Sequence, residues 1–413
     1  MRTEAMDKKY PKEICGIVGK ANVGKSTLFS AMTLAPVEIG NYPFTTIKPN
    51  RGVTYLRINC VCRELNVKDN PKNSKCIDGN RFIPIELIDC PGIIRGAHKG
   101  RGLGLKFLDE IRQASALIVV ADAAGATDSD GNPVEPGTGE PVEDVKIVEE
   151  EVSHWVTDIL YMDWPRICRI VENRFGELDE ELWKKLSGLG ISIESIREVA
   201  TELGLNHHRP SQWTIEKLYD FSSILIKKEK PIIVAANKID MKEARRGVEK
   251  LKNAGYNVIP TSGEAERILR LASEKGFINY LPGDREFKVL DESKLTNAQK
   301  KALEKIYETV FKPWGSTGVQ ELVNTAYFNL LQYIPVYPVE DPEKLSDHDG
   351  NVLPDVYLVR KGSKPRELAY KIHTDLGRTF LYAIDAKKKI RVGEEYQLRW
   401  GDIISIVSAA KEA

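Results

Sequence analysis

Along the first third of the chain, short apolar runs alternate with segments of helical spacing. Ile14–Val18 is such a run; a glycine-rich turn follows it, then a helix-like stretch at 25–32. Residues 52–58 and 82–88 predict two further strands, separated by a polar insertion at 68–80 rich in Asn, Lys and Gly. Residues 116–121 (ALIVVA) are continuously apolar, as in a parallel strand covered on both faces. Strands alternating with helices predict βαβ units and a mostly parallel sheet.

That pattern then stops. Residues 124–140 (AGATDSDGNPVEPGTGE) are turn-formers with almost nothing to bury and read as a loop or linker. From 143 to 228 the apolar positions recur at helical spacing, as in Val145, Val148, Val152, Trp155, Val156 and Ile159, which predicts an all-helical insertion. Strand pattern returns at 231–236 and 257–259, a second helical stretch covers 264–314, and 316–331 reads as one amphipathic helix. The prolines of 333–339 (YIPVYPV) favour extended chain and mark a boundary. Beyond it, 355–407 shows short strands around one helix, a small α+β domain. The expected division is a nucleotide-binding α/β domain at 10–123 and 229–333, a linker and helical insertion at 124–228, and a C-terminal domain at 334–413.

Composition narrows this little. A chain of 413 residues with 42% hydrophobic and 29% charged residues buries its core without disulfide staples. Sixty basic residues balance sixty acidic ones, so net charge names no polyanionic partner. No apolar run approaches the ~20 residues that span a bilayer, and no secretory signal opens the chain. A cytoplasmic monomer with reduced thiols and no membrane partner is the expectation. Cys60, Cys62 and Cys76, with Asp69 nearby, admit two readings: a metal site, or three free thiols in a hairpin insertion. The second weighs more, because zinc sites usually supply four well-spaced ligands.

The candidate chemistry begins at Gly19, where the segment Gly19 to Ser26 satisfies GxxxxGK[ST] between a strand and a helix. Glycines let backbone N–H groups turn inward around phosphates, and the helix N-terminus adds a favourable dipole. Lys20, Ala21, Asn22, Val23, Gly24, Lys25, Ser26 and Thr27 therefore form the expected cradle. Lys25 is placed to reach the β- and γ-phosphates and Ser26 to ligate magnesium. Four segments follow in the order a GTPase requires. Thr46 in NYPFTT can meet magnesium and γ-phosphate, or sit in an ordinary helix-to-strand connection. Asp89, in DCPG, can hold the metal shell, and the Gly92 N–H can sense the γ-phosphate. In Asn237-Lys238-Ile239-Asp240, the Asp240 carboxylate can accept from the N1–H and 2-amino group of guanine, which adenine lacks. Ser262 and Gly263 form the weakest match, equally a normal strand-to-helix turn.

Together the motifs GKANVGKST, NYPFTT, DCPGIIRGAHKGRGLG and NKID resemble the Obg-type GTPases and, within them, the archaeal YchF-like branch. The C-terminal segment from DVYLVRKG to GDIISIV resembles the TGS domain, a ubiquitin-like β-grasp also found in threonyl-tRNA synthetases and Rel/Spo proteins. The resemblance covers nearly the whole chain and implies a P-loop GTPase domain with a helical insertion, followed by a TGS domain. Typical bacterial and eukaryotic YchF proteins carry a glutamate where Asp240 stands and tolerate ATP; this departure favours guanine.

Hydrolysis poses a separate question. Ras-like enzymes place a glutamine after the DxxG glycine to orient water, and here that position is Ile93. His98, whose counterpart in YchF-like proteins is a candidate for the role, is either the substitute or a solvent-exposed loop histidine. In similar glutamine-less GTPases an asparagine at the Asn22 position helps bind potassium; Asn22 is alternatively a simple turn-former. The glycines at 92, 96, 100, 102 and 104 suit a segment that orders around a γ-phosphate.

From Asp355 onward, twelve Lys/Arg face eight Asp/Glu, including Lys387, Lys388, Lys389 and Arg391 on an expected hairpin. With the TGS resemblance, this favours ribosome or ribosomal RNA contact. The leading expectation is a GTP/GDP switch with Mg2+, and with K+ as a second cation. The alternatives are an ATPase or dual-specificity nucleotidase in stress signalling, and a nucleotide-gated binding module with incidental turnover.

Overall fold

The computed structural model describes residues 14–34, 50–93, 95–99 and 110–409. Thr46 and the glycines at 100, 102 and 104 lie outside the described residues. In chain order come β1 (Ile14–Val18), α1 (Lys25–Thr33), β2 (Arg51–Asn59), α2 (Val61–Leu65), β3 (Lys75–Ile77), β4 (Asn80–Asp89) and β5 (Ala116–Asp122). Four helices follow: α3 (Pro141–Glu172), α4 (Leu178–Leu186), α5 (Ile193–Glu202) and α6 (Ile215–Glu229). The α/β pattern resumes with β6 (Ile232–Asn237), α7 (Ala244–Asn253), β7 (Val258–Pro260) and α8 (Gly263–Glu274). A two-stranded ribbon, β8 (Ile278–Asn279) with β9 (Lys288–Val289), interrupts the stretch expected to be helical at 264–314. Then come α9 (Asn297–Ile306) and α10 (Val319–Asn324). Where the pattern predicted one helix at 316–331, α10 gives way to a π-helical turn at Thr325–Leu330.

The chain forms two compact units. Among the described residues the first comprises 14–34, 50–52 and those within 86–322, and the second 53–85 and 323–409. In the main sheet, order β2-β4-β1-β5-β6-β7, the pairs β4–β1, β1–β5, β5–β6 and β6–β7 are all parallel. β1 is central, with β4 on one side and β5 on the other. The chain direction across the sheet therefore reverses at the C-terminal end of β1, where a doubly wound sheet opens a crevice for ligands.

α3 is 32 residues long because Val145, Val148, Val152, Val156, Leu160, Trp164, Ile167 and Val171 keep one face apolar. These residues join the same core as Leu117, Val119, Ala121, Val234 and Ala236 of the sheet. The helical insertion thus shares its core with the sheet instead of forming a separate domain, because α3 packs directly on the strands.

In the second unit, β10 (Tyr333–Val339), β11 (Tyr357–Arg360), β12 (Phe380–Asp385), β13 (Ile390–Val392) and β14 (Ile403–Ser408) form a sheet of order β11-β10-β14-β12-β13. Helix α11 (Pro365–Ile372) supplies Leu368 and Ala369 to its core, and α12 (Thr374–Arg378) follows. This is the small α+β domain expected, with two corrections. Residues 333–339 are a paired strand, and Pro335 keeps its place by accepting from the Gly401 N–H (2.9 Å). The unit also begins before residue 334 and takes in Val53–Ile85, whose Asn70 and Lys72 N–H groups donate to the Val352 and Pro354 carbonyls.

A buried ion pair steadies the first unit. Glu266 accepts from Arg270 Nε (2.6 Å), the Tyr280 hydroxyl (2.6 Å) and Thr317 Oγ1. Arg270 Nη1 continues to the carbonyls of Met32 (3.2 Å) and Leu34 (2.9 Å) at the end of α1. Arg270→Ala would leave the carboxylate buried without its cation and is expected to cost about 3–5 kcal/mol. A urea titration of the variant, read as the loss of midpoint at unchanged slope, measures it.

Candidate nucleotide site

Five functional segments converge at the C-terminal ends of the parallel strands. After β1, the turn into α1 needs backbone that side chains resist: Gly24 has φ +91° and Asn22 φ +61°. A Cβ at Gly19 would stand 2.7 Å from the Val120 carbonyl, and one at Gly24 would run into Asn237 Nδ2. The glycines therefore permit close approach of two other segments. Ser26 is exposed in the first turn of α1, Lys25 and Thr27 are half-buried, and Val23 is fully buried beneath the turn.

Asn237, at the end of β6, ties the segments together. Its Nδ2 donates to the Val23 carbonyl (3.0 Å), and its Oδ1 accepts from the Gly263 N–H (3.1 Å). Lys238 Nζ pairs with Asp122 at the end of β5 (2.8 Å). Ser262 donates to Asp240 Oδ1 (2.8 Å) while accepting from the Ala265 N–H as N-cap of α8. The sequence assigned Ser262 and Gly263 only a weak match. The structure gives them definite work, holding Asp240 and Asn237 in place.

The segment between β5 and α3 is not a linker: its polar groups close around the phosphate loop. Lys20 is buried, its Nζ paired with Asp144 Oδ1 (2.6 Å) and donating to the Thr127 and Asp128 carbonyls. Asn22 Nδ2 donates to the Gly131 carbonyl (2.9 Å), and a Cβ at Gly131 would press on Ala21. Lys20 thus contributes its backbone, not its ammonium, to the cradle. Burial raises the Asp144 pKa to about 6 against the opposing pull of Lys20. Sequence reasoning missed Asp122, Thr127, Asp128, Gly131 and Asp144. The available signal was an aspartate ending a buried strand, Asp122, with a second at 144 in the next helix's first turn.

On the other side of β1, Ile93 is buried and its N–H donates to the Gly19 carbonyl (3.1 Å). A Cβ at Gly92 would lie 3.8 Å from the Ala21 nitrogen, so the DCPG turn faces the cradle. Asp89 Oδ1 is buried without a hydrogen-bond partner among the described residues. Burial raises its pKa and Lys25 opposes that rise. An unpartnered buried carboxylate oxygen beside the cradle's lysine fits a magnesium shell.

His98 is not a solvent-exposed loop residue. Its Nδ1 lies 2.7 Å from Glu151 Oε2 on α3, and its ring stacks on His154. The same carboxylate accepts from the Gly96 (2.6 Å) and His98 (3.0 Å) N–H groups. For Glu151, burial pushes the pKa up, but these donors outweigh it and hold the carboxyl below its ordinary 4.5.

Comparison with known proteins identifies the family. Residues 14–162 match a family model described as a 50S ribosome-binding GTPase. Residues 235–341 match one described as an Obg-like GTPase YGR210-like, G4 motif-containing domain, and 348–408 match the TGS domain. An uncharacterized GTP-binding protein of Methanocaldococcus jannaschii is 50% identical, over 96% of this chain and 99% of its own length. The ribosome-binding ATPase YchF of Bacillus subtilis is 28% identical over 94% and 97% of the two chains. The crystal structure of a GTP-binding protein from Pyrococcus horikoshii OT3 superposes with a TM-score of 0.76 at 40% identity, covering 96% of this chain and all of that one.

Two outcomes test the site. Asn237→Ala removes both side-chain bonds and is expected to cost about 2–3 kcal/mol and weaken nucleotide binding at least ~10-fold, read by titration with a fluorescent nucleotide. Because the folded Glu151 pKa is lowered, its stabilisation is complete above pH 4.5 and lost as pH falls through the folded value. Glu151→Gln should therefore be less stable than the parent at pH 7 by about 1–3 kcal/mol, and the gap should shrink on acidification in parallel melts.

Proposed function

The chain belongs to the Obg-like GTPases of the YchF type, and from that premise we propose a guanine-selective nucleotide hydrolase that works as a switch docking on the ribosome. Asp240 carries this reading: its Oδ1 is engaged by Ser262 (2.8 Å), so the carboxylate is oriented before nucleotide arrives. An oriented acceptor rewards the paired donors of guanine and leaves adenine's mismatched edge unpaired, a difference of several kcal/mol at a desolvated site. The relatives named ATPases give the second reading its support.

Magnesium, when bound with nucleotide, neutralises charge on the β- and γ-phosphates, and Ser26 and Asp89 would hold it. Thr46 remains the proposed third contact. Lys25 supplies fixed positive charge, and the N–H groups of the Gly19 to Ser26 turn would donate to the phosphate oxygens. Ile93 cannot orient water, so turnover without an added group is slow. Two candidates compensate. His98 commits Nδ1 to Glu151, which leaves Nε2 as the ring nitrogen that would act on an attacking water. Asn22 commits Nδ2 to Gly131 and would turn Oδ1 toward potassium, a cation in the place an arginine finger occupies elsewhere.

Ribosome docking rests on the names of the relatives and not on surface charge. In the second unit Lys364, Arg366, Lys387, Lys388 and Lys389 are each paired with a carboxylate, to Glu395, Glu394, Glu64, Asp385 and Glu343. Two of these partners, Glu64 and Glu343, lie outside 355–413 and so offset part of the basic excess seen in the sequence.

Asp240→Glu should lower GTP affinity at least ~10-fold and narrow its preference over ATP, measured by competitive nucleotide titration; an unchanged preference would reject guanine selectivity. Turnover should be faster in potassium than in sodium, and His98→Ala should lower kcat with little change in KM. Ribosomes should retain the protein with a non-hydrolysable GTP analogue and release it with GDP in co-sedimentation. Binding indifferent to nucleotide would reject the switch.

A further inference from the structure

Outside the nucleotide site, the second unit gathers the thiols of Cys60, Cys62 and Cys76 with the Asp69 carboxylate. Their ligand atoms lie within 4.8 Å of one another. Cys60 caps α2 and Cys62 lies in its first turn; Asp69 sits in the following loop, and Cys76 on β3. Cys62 Sγ and Cys76 Sγ are 3.8 Å apart, and Cys60 Sγ lies 3.2 Å from Asp69 Oδ2. Four-coordinate zinc with bonds of about 2.3 Å to sulfur needs sulfur–sulfur edges of about 3.8 Å. A disulfide would need about 2.05 Å.

The surroundings are arranged for negative charge. Arg81, fully buried, donates through Nε to Cys60 Sγ (3.4 Å) and pairs through Nη2 with Asp69 Oδ2 (3.1 Å). Its other bonds, to Ser74 Oγ (2.9 Å) and the Leu353 carbonyl (3.1 Å), fix the guanidinium in that position. The Tyr337 hydroxyl is buried beside Cys60 and has no ordinary hydrogen-bond partner among the described residues. Neutral thiols are poor acceptors for either group. Three metal-bound thiolates and a carboxylate around a divalent cation carry two net negative charges. Arg81 would offset one of them, and Tyr337 would donate to the Cys60 sulfur as an outer partner.

We propose that Cys60, Cys62, Cys76 and Asp69 bind one zinc ion in a closed tetrahedral site. Thiolates select a borderline-soft cation over magnesium or calcium. Four protein ligands leave no position for a water or substrate, so the site is structural. Its chemistry is to fasten the 53–85 segment within the second unit, where Arg81 already reaches Leu353.

The test uses the full chain, purified without chelator and equilibrated with micromolar zinc. Metal analysis should find about one zinc per chain, and replacement by cobalt should give the intense visible bands of a tetrahedral thiolate site. A thiol reagent should find Cys60, Cys62 and Cys76 protected until a strong chelator is added. Cys62→Ser and Cys76→Ser should each weaken zinc retention at least ~10-fold, with Cys168→Ser as a control that keeps it. Nucleotide binding by each variant shows that it has folded. Should a variant fail to fold, the cobalt spectrum and thiol protection of the unmodified chain decide. A parent chain that retains no zinc, an octahedral cobalt spectrum, thiols equally reactive with and without chelator, or a Cys62–Cys76 disulfide in the protein purified without chelator would overturn the proposal.

Discussion

The nucleotide site depends on one amide side chain. Asn237 bonds the Val23 carbonyl with its nitrogen and the Gly263 N–H with its oxygen, so it joins the phosphate turn, the end of β6 and the start of α8. Each bond is worth only about 1 kcal/mol in net stability. Their value lies in register: phosphate recognition and base recognition sit on different strands, and Asn237 fixes the distance between them. The absence of a side chain at Gly24 is the complementary requirement, since any Cβ there would displace this amide. Two positions more than two hundred residues apart are thus one constraint.

The elements that sequence pattern revealed are those set by local rules. β1 falls on the predicted residues because an apolar run next to a glycine turn has few alternatives. Among the described residues the motif order also survives folding, since the phosphate turn, DCPG and NKID each follow a parallel strand and so meet at the same end of the sheet. What the pattern could not supply was destination. Residues 124–140 were legible as turns, but nothing local shows that Gly131 meets Asn22 or that Lys20 meets Asp144. Nor could periodicity show that the helical insertion shares its core with the sheet. An apolar stripe announces burial without naming the surface it covers. His98 is similar: a histidine among glycines stays open to two readings, functional or exposed, until Glu151 is found opposite it.

Charge gave the plainest divergence between chain and fold. Basic residues that look like a patch in sequence are paired in the second unit, several with acidic residues far away along the chain, as Lys387 is with Glu64. Exposed pairs of this kind contribute little to stability. They do reduce the free positive charge offered to a polyanion.

The contacts that grip Lys20 and Asn22 have a further meaning for information transfer. A phosphate turn already braced by Asp144, Thr127, Asp128 and Gly131 has little left to rearrange when a ligand enters it. Such a rigid cradle grips the groups common to di- and triphosphate almost equally, and a contact equal in both states shifts no population between them. If the molecule works as the proposed switch, affinity and message are therefore divided in it. In the proposed switch the braced turn would supply the first, and the second would originate in groups that sense only the terminal phosphate, for which the Gly92 N–H is the candidate.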